Sequence, residues 1–383
     1  MPVMTSCSMT AIALNRHQNP TLPHFRALMG AAVAFVILAG CQSTELPRVA
    51  VAAAPVPVPS ATIVPPKAPS KPLPPPAPAA LIASVNELAR GFDGKVGIAV
   101  RSIDRDWQVA ANGDLPLPQQ SVSKLWVAMA VLDARDQGRL TLDDPVTVTR
   151  EDLTLFHQPI AAMVKGDGYK TTVSELLQRA LTQSDNTAND RLLRFVGGPD
   201  AVRDFVRRKQ LGTIRFGPGE RLLQSQTAGL QWQSGFATGN SFIRARAQLP
   251  IETRVKAFDA YIADPPDGAA PVAIAGALAK LKRGTLLSPS STQYLISTME
   301  SSKTGRQRLR GAVPEGWSFG HKTGTGQDLG GRTAGYNDVG ILVAPDGRSY
   351  AIAVMIGDTP RPVAERQALM QSVVAAVVAN HSD

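Results

Sequence analysis

Residues 336–356 read YNDVGILVAPDGRSYAIAVMI, and this stretch decides the fold class. Two runs rich in aliphatic and β-branched residues, 336–343 and 349–356, lie on either side of Asp346-Gly347. An Asp-Gly pair between two such runs is typical of a tight antiparallel hairpin. We therefore predict two neighbouring strands near the carboxyl end of the chain.

The remaining strand candidates lie towards the two ends of the chain. Residues 317–323 precede the hairpin, and residues 95–103 alternate as a strand with residues 107–111 as their hairpin partner. Helical spacing dominates the region between them, and two more helices are predicted over 81–90 and 362–379. This order predicts an α/β fold, in which an antiparallel sheet built from both termini is flanked by helices and carries an inserted all-helical subdomain.

These patterns divide the folded domain, residues 81–383, into two parts. The α/β part covers about 81–130 and 300–383, and the helical part covers about 131–299. Within the helical part, residues 213–271 are rich in Gly, Gln and Pro and show only one amphipathic pattern, from 252 to 262.

A predicted helix begins with Ser121-Val122-Ser123-Lys124. Residues i and i+3 share one face of a helix, so the Lys124 amine can lie beside Ser121 Oγ. A serine hydroxyl is a weak nucleophile that needs a base, and a desolvated lysine can serve as one. The helix N-terminus adds backbone donors for a developing oxyanion. By itself, however, S-x-x-K is a common pattern.

Two further polar motifs follow in the chain. Ser184-Asp185-Asn186 lies 63 residues after Ser121 and offers short hydrogen-bonding groups, although it is equally typical of a turn or helix cap. Lys322-Thr323-Gly324 ends a predicted strand and continues as Thr325. Lys322 can bind a carboxylate, and Gly324 would let a substrate backbone approach the strand edge. A strand end followed by a loop explains this second motif equally well.

Together and in this order, the three motifs resemble those of the class A serine β-lactamases and the related penicillin-binding proteins. Residues 172–177, which lead into S-D-N, and 336–339, after K-T-G, extend the resemblance over about residues 81–383. In that family the matching residues would have these roles: Ser121 as acylated nucleophile, Lys124 as an aid to proton removal, Ser184 as proton donor to the departing ring nitrogen, Asn186 as ligand of the side-chain amide, and Lys322, Thr323 and Thr325 as ligands of the β-lactam carboxylate. The resemblance also implies an oxyanion hole formed by the backbone N–H groups of Ser121 and Thr325, and a structural role for Asp185.

Whether a lactamase or a peptidase is present depends on a base for deacylation. The resemblance implies a Glu within E-x-x-x-N, and Glu220, 36 residues after Ser184, matches the family spacing. Gln224 stands where the family has Asn, and it keeps the amide needed to hold a water. Glu252 is a rival base, although its amphipathic helical pattern favours a solvated position, and a surface carboxylate is the alternative for Glu220 itself. From 225 to about 264 the chain exceeds the family norm by some tens of residues, which can reshape or cover the loop.

The other candidates suggest no second chemistry. His157, His321 and His381 are the only histidines of the domain and form no evident Ser-His-Asp triad, so we expect neither a metal nor an organic cofactor. His321 can orient the adjacent lysine or be an ordinary strand residue, and His381 is expected in a frayed tail. Phe156 or His157 can line the cleft, with core packing favoured for Phe156. Arg332 can help bind the substrate carboxylate, but a solvent-facing position is favoured.

The amino-terminal segment has the pattern of a secretory signal. Residues 1–44 carry no acidic side chain, and two arginines precede an apolar run over 27–38 that is too short to span a bilayer. The run ends in Leu38-Ala39-Gly40-Cys41, which resembles the bacterial lipobox. This resemblance implies a signal peptide over 1–40, lipidation of Cys41, and membrane anchoring on the periplasmic side. Gln42 favours the outer membrane.

Residues 41–80 are predicted to be an extended Pro-rich tether, because 12 of the 30 prolines lie in 47–80 and no apolar face is present. The formal net charge of +9 falls to +5 over residues 81–383, where 35 basic side chains face 30 acidic ones. This excess is too small and too dispersed for a nucleic-acid interface. Two cysteines exclude a disulfide scaffold, an iron–sulfur protein and a Cys-based zinc module.

The favoured interpretation is a monomeric class A-like β-lactamase that confers antibiotic resistance by hydrolysing the β-lactam amide through a Ser121 acyl-enzyme. The first alternative is a D,D-peptidase or penicillin-binding enzyme that acts on peptidoglycan peptides. The second is a non-catalytic peptidoglycan-binding lipoprotein, which would not require a Ser121–Lys124 pair.

Overall fold

A computed structural model describes residues 75–382. The predicted signal peptide, the lipidation site at Cys41 and residues 41–74 of the predicted tether lie outside the described residues. None of the helices in the described part is both long and apolar enough to cross a membrane.

Within residues 75–382 the chain forms eleven strands: β1 Lys95–Ser102, β2 Gln108–Ala111, β3 Leu117–Pro118, β4 Pro145–Val148, β5 Tyr169–Thr172, β6 Gly268–Ala269, β7 Ser318–Thr325, β8 Asp328–Leu329, β9 Arg332–Thr333, β10 Tyr336–Val343 and β11 Ser349–Asp358. The same residues form eleven α-helices: α1 Ala79–Gly91, α2 Lys124–Asp136, α3 Val173–Gln178, α4 Asn186–Phe195, α5 Gly198–Arg208, α6 Glu220–Thr227, α7 Ser241–Gln248, α8 Ile251–Ala263, α9 Pro271–Lys282, α10 Pro289–Glu300 and α11 Val363–Ala379.

The predicted antiparallel sheet is confirmed, with five strands in the spatial order β2-β1-β11-β10-β7. Its centre combines β1 from the amino end with β10 and β11 from the carboxyl end, which form the predicted hairpin and pair Val343 with Ser349. Gly347 takes a positive φ of 88° in the turn, a conformation that suits glycine. Almost every residue of β11 is buried because helices cover both faces of the sheet.

The two faces of the sheet have separate cores. Helices α1 and α11 cover one face, and α9 packs on β1 and β11 from the other. The assignment of all of residues 131–299 to a separate helical part is therefore wrong for α9. Its apolar side chains, which include Ile274 and Leu278, are buried against the sheet.

The helical part supplies the second wall of the site. Between α3 and α4 the helix widens into one π-helical turn, Arg179–Gln183, and Ser184 then takes a left-handed φ of 61°. Glu220, predicted on a loop, is the first residue of α6. The excess segment 225–264 contributes a 3₁₀ turn, Ser234–Ala237, together with α7 and α8.

Candidate active site

A cleft of about 560 Å³ lies between the β7 edge of the sheet and the helical part. Residues from all three sequence motifs and from α6 and α7 line it: Ser121, Ser184, Asn186, Glu220, Gln224, Arg246, Arg308, Thr323, Thr325 and Asp328 are among them. The fold thus brings together segments that are as much as 200 residues apart in sequence. Lys124 and Lys322 are fully buried beneath this lining.

Ser121 lies in a 3₁₀ turn, Gln120–Ser123, directly before α2. Gln120 has a positive φ of 53°, a strained conformation for a residue with a side chain, and its backbone N–H donates to Asp267 Oδ2 at 2.7 Å. The Gln120 amide donates to Tyr261 Oη at 2.7 Å, and Tyr261 donates to Asp267 Oδ1 at 3.0 Å. Burial raises the pKa of Asp267 to about 6. This buried network fixes the turn that presents Ser121.

The Lys124 amine contacts three functional groups at once. Its Nζ donates to Ser121 Oγ at 2.7 Å, to Asn186 Oδ1 at 2.9 Å and to Glu220 Oε1. Lys124 and Glu220 form a buried ion pair. The predicted proximity of Ser121 and Lys124 is present, and the same amine links the nucleophile to the carboxylate of α6.

Hydrogen bonds hold Glu220 at both its backbone and its side chain. Its backbone N–H donates to both carboxylate oxygens of Asp190 at 3.1 Å, so Asp190 satisfies the start of α6. Its Oε2 accepts from Gln224 Nε2 at 3.3 Å. Gln224 Nε2 also donates to Gln120 Oε1 at 2.9 Å, and Gln327 Nε2 donates to Gln224 Oε1 at 3.1 Å. Gln224 thus contacts Glu220 directly.

Lys322 on β7 lies across the cleft from α4. Its Nζ donates to Ser184 Oγ at 2.9 Å and to the backbone oxygen of Thr323 at 2.9 Å. Complete burial, and next the charge of Lys124, lower the pKa of Lys322 well below that of an ordinary lysine. The left-handed backbone at Ser184 turns its hydroxyl out of the helix to this position.

Arg308 is a site residue that the sequence analysis did not identify. Its Nη1 donates to the backbone oxygens of Gly324 at 2.9 Å and Asn337 at 2.7 Å, and its Nη2 donates to Thr325 Oγ1 at 2.5 Å. The guanidinium lies 3.8 Å from the ring centroid of Tyr336. It therefore adds a second cation beside Thr325. No motif surrounds it in the sequence, so only the fold reveals it.

Gly324 has a packing role that the sequence analysis did not predict. A Cβ at this position would lie 2.3 Å from the backbone oxygen of Gln119, so the space next to Gly324 is filled by the chain itself. Gly324 is also absent from the lining of the cleft. The glycine therefore lets the turn that carries Ser121 approach β7.

The weaker candidates separate clearly. Arg332 is half-buried and pairs with Asp259 at 2.8 Å and Asp358 at 2.7 Å, outside the lining of the cleft. Glu252 is exposed on α8 and does not line the cleft. Phe156 is 49% exposed at the cleft, so its expected place in the core is wrong.

The three histidines of the domain lie in different surroundings. His157 lines it. His321 is fully buried, and its Nδ1 lies 2.8 Å from Asp338. His381 packs on Trp317 and forms a hydrogen bond of 2.9 Å with Tyr350, so the prediction that it lies in a frayed tail is wrong.

Asp185 caps α4, accepting from the backbone N–H of Ala188 at 2.9 Å and of Ile160 at 2.6 Å. This geometry agrees with its expected structural role.

The arrangement suits acyl transfer to a serine. A hydroxyl contacts a buried amine, the amine contacts a carboxylate, and a second hydroxyl contacts a second buried amine. The nucleophile and its proton acceptor are therefore within hydrogen-bond reach of each other, as nucleophilic catalysis requires, and the proton donor Ser184 lines the same cleft. The fold and the site define a serine hydrolase that acts through a covalent acyl-enzyme.

Comparisons with known proteins agree. A family model described as the beta-lactamase enzyme family matches residues 80–381. The extended-spectrum β-lactamase PER-1 of Pseudomonas aeruginosa is 31% identical over 292 residues, which are 76% of this chain and 83% of that protein. Beta-lactamase Toho-1 of Escherichia coli is 26% identical over 76% of this chain and 85% of its own length.

Solved structures give the same result. The crystal structure of TLA-3 extended-spectrum β-lactamase matches with a TM-score of 0.66 and 25% identity, over 79% of this chain and 99% of that one. An ancestral class A β-lactamase matches with a TM-score of 0.61 and 30% identity, over 78% and 99%. The chain therefore belongs to the beta-lactamase enzyme family, as a serine β-lactamase of class A.

Proposed function

We propose that this enzyme hydrolyses the β-lactam amide in two steps, acylation of Ser121 and Glu220-assisted deacylation. The observation that carries the proposal is the position of Lys124 Nζ, which contacts both Ser121 Oγ and the Glu220 carboxylate. A single amine can therefore pass a proton between the nucleophile and the base.

Acylation begins with transfer of a proton from the Lys124 ammonium to Glu220. The neutral amine then accepts the Ser121 proton as Oγ attacks the lactam carbonyl carbon, and the ring C–N bond breaks after the tetrahedral intermediate forms. The buried ion pair makes the first transfer short, because the two groups are already hydrogen-bonded. The backbone N–H groups of Ser121 and Thr325 are the proposed oxyanion donors.

The departing ring nitrogen needs a proton. Ser184 is the proposed donor, because its hydroxyl accepts from Lys322 Nζ at 2.9 Å and can be reprotonated from it. Lys322, Thr323, Thr325 and Arg308 surround the end of the cleft at which the substrate carboxylate would bind, so the ring would enter with its nitrogen towards Ser184. Asn186 is the proposed ligand of the side-chain amide.

Deacylation requires a water activated beside the ester. Before this step the proton that Glu220 took up in acylation passes through the water of the cleft to Lys322, which restores the Glu220 carboxylate and the Lys322 ammonium. Glu220 is then the proposed base: it removes a proton from the attacking water, whose oxygen bonds to the ester carbon, and the proton returns to Ser121 Oγ as the ester bond breaks. Asp190 and Gln224 position Glu220 through its backbone N–H and Oε2. These two contacts orient the carboxylate within the cleft.

A single experiment distinguishes this function from the alternatives. The full chain, purified in detergent, is mixed with a chromogenic cephalosporin, and mass spectra are recorded over time beside Ser121→Ala. Sustained turnover by the parent, lost in the variant, is the expected result. A stable adduct on Ser121 would support a D,D-peptidase, and neither turnover nor adduct would support a peptidoglycan-binding protein.

We further propose that the enzyme is a monomer anchored by lipid at Cys41 on the periplasmic side of the outer membrane. The support is the basic, apolar and L-A-G-C sequence of residues 1–41. Metabolic labelling with palmitate followed by membrane fractionation tests the anchor, and Cys41→Ser should abolish both label and membrane association. Label that persists in the variant would contradict the lipid anchor. Sedimentation of the solubilised protein tests the monomeric state.

A further inference from the structure

The excess segment 225–264 places a cation in the cleft. Arg246 lies on α7 and lines the cavity together with Phe156 and Asp328. Helix α7 is fixed there by Phe242, whose ring packs edge-to-face on Phe156 at 5.2 Å and on Phe236 at 5.6 Å. The backbone of Arg246 is therefore held in place by a packed helix.

Most of the donor capacity of Arg246 is unused. Its Nη2 donates to the backbone oxygen of Asp328 at 2.7 Å, and its buried Nε has no hydrogen-bond partner. No ion pair within residues 75–382 includes Arg246. Arginine carries five N–H donors, and buried donors are normally satisfied. Arg246 Nη1 also makes no hydrogen bond within residues 75–382, so its N–H groups remain for a partner from outside the protein.

The surrounding charges favour an anion as that partner. Burial, and next the charge of Arg254, lower the pKa of Arg246, whereas the charge of Asp328 opposes this effect as a smaller contribution. The Asp328 carboxylate is itself bonded by the Thr333 hydroxyl. An incoming carboxylate would therefore meet a guanidinium whose strongest charged neighbour is another cation.

Arg246 lines the cleft beside Asp328, whereas the proposed site of the lactam carboxylate is at Thr325. Along the chain after β7, Thr325 is followed by Gln327, which bonds the backbone oxygen of Gln224 at 2.8 Å, and then by Asp328, which contacts Arg246. A β-lactam with its ring carboxylate at Thr325 would extend its acyl side chain towards Asp328. The exposed ring of Phe156 offers an apolar surface for the methylenes of that side chain.

We propose that Arg246 binds a carboxylate at the end of the acyl side chain of the substrate and so makes the enzyme prefer β-lactams with anionic side chains. The inference rests on the proposed hydrolysis of β-lactams and adds the substrate class. A planar guanidinium with two free N–H directions can form paired hydrogen bonds to such a carboxylate.

Matched substrates test this proposal. We would compare cephalosporins whose 7-acylamido group ends in a carboxylate after one to four methylenes with the same compounds ending in a primary carboxamide. For the parent enzyme we expect kcat/KM to favour the carboxylate, with a maximum at one chain length. Turnover of the carboxamide compounds tests β-lactam hydrolysis separately. If the parent hydrolysed neither series, the proposed function would be wrong, and so would the inference that rests on it.

Variants of α7 identify the residue responsible. Arg246→Gln should lower the carboxylate-to-carboxamide ratio of kcat/KM by about fivefold to tenfold, the range expected for a partly exposed charged hydrogen bond. Arg246→Lys should restore part of the preference. Arg244→Gln, an exposed position on the same helix, removes the same charge and should leave the ratio unchanged. A merely structural role of Arg246 would change both substrates alike. A parent without preference at every length, or a preference that survives in Arg246→Gln, would overturn the inference.

Discussion

Asp190 holds the backbone N–H of Glu220 between its two carboxylate oxygens, each 3.1 Å away. The Asp190 carboxylate is buried, and α6 begins at Glu220. The buried Asp190 carboxylate thus positions the backbone of Glu220, which we propose as the deacylating base. Burial, followed by the charge of Glu220, raises the pKa of Asp190 to about 6.

This raised pKa predicts that Asp190 lowers the stability of the folded state in a pH-dependent way. In the unfolded chain the group titrates near 3.8, so the folded state loses stability as the pH rises from about 4 to about 6. Asp190→Asn keeps an acceptor without the charge. Its free energy of unfolding, relative to that of the parent, should rise by about 2 kcal/mol between pH 4 and pH 7 in urea titrations. A relative stability independent of pH would contradict this assignment.

Lys322 should give the enzyme an alkaline limit. Because burial and Lys124 lower its pKa, Lys322 loses its charge below the pH at which an ordinary lysine would. We expect kcat/KM to fall at alkaline pH as the substrate carboxylate and Ser184 lose this charged partner. Lys322→Arg remains charged, so its fall should move to higher pH even if its maximum is lower. Equal alkaline limits in pH–rate profiles of both enzymes would rule out Lys322 as the cause.

Arg308 should matter to both stability and binding. Arg308→Ala leaves the buried backbone oxygens of Gly324 and Asn337 without their donor, at about 1–3 kcal/mol each. We expect a lower Tm in calorimetry and a higher KM. Arg306→Ala, an exposed position in the same segment, is the control and should change neither. Parent-like values for Arg308→Ala would show that its contacts are dispensable.

The approach of Gln119 to Gly324 predicts a severe effect of one methyl group. In Gly324→Ala the new Cβ would lie 2.3 Å from the backbone oxygen of Gln119, so the turn that carries Ser121 must move. We expect kcat to fall at least tenfold, because nucleophilic attack is sensitive to displacements of about 1 Å. Gly276→Ala in α9, where a Cβ meets no atom within 4 Å, is the matched control and should retain full activity. Similar kcat values for the two variants would refute this role of Gly324.

The fold was predictable where local patterns determine it. The aliphatic and β-branched runs in β10 and β11 and the Asp346-Gly347 turn identify the hairpin, and the range 336–343 coincides with β10. Helix α9 was assigned to the wrong part, because the apolar face of a helix does not reveal which layer covers it. Helix α7 was missed because Gly, Gln and Pro around it obscure its periodicity.

The site was predictable where residues form a motif. Ser121 and Lys124 lie at helical spacing, and the fold brings Ser184 and Lys322 into hydrogen-bond contact across the cleft. Arg308 and Asp190 carry no local signal, because their partners are backbone groups of distant segments. Tertiary contacts of this kind appear only when the chain is folded.

The most direct test of the account is the fate of the acyl-enzyme in Glu220→Gln. The full chain and this variant are each mixed with a chromogenic cephalosporin and sampled by mass spectrometry, with Glu252→Gln, which alters an exposed carboxylate on α8, as control. We predict an adduct on Ser121 that accumulates and persists in Glu220→Gln, while the parent and the control turn over without accumulation. Turnover by Glu220→Gln at the parental rate would contradict the account.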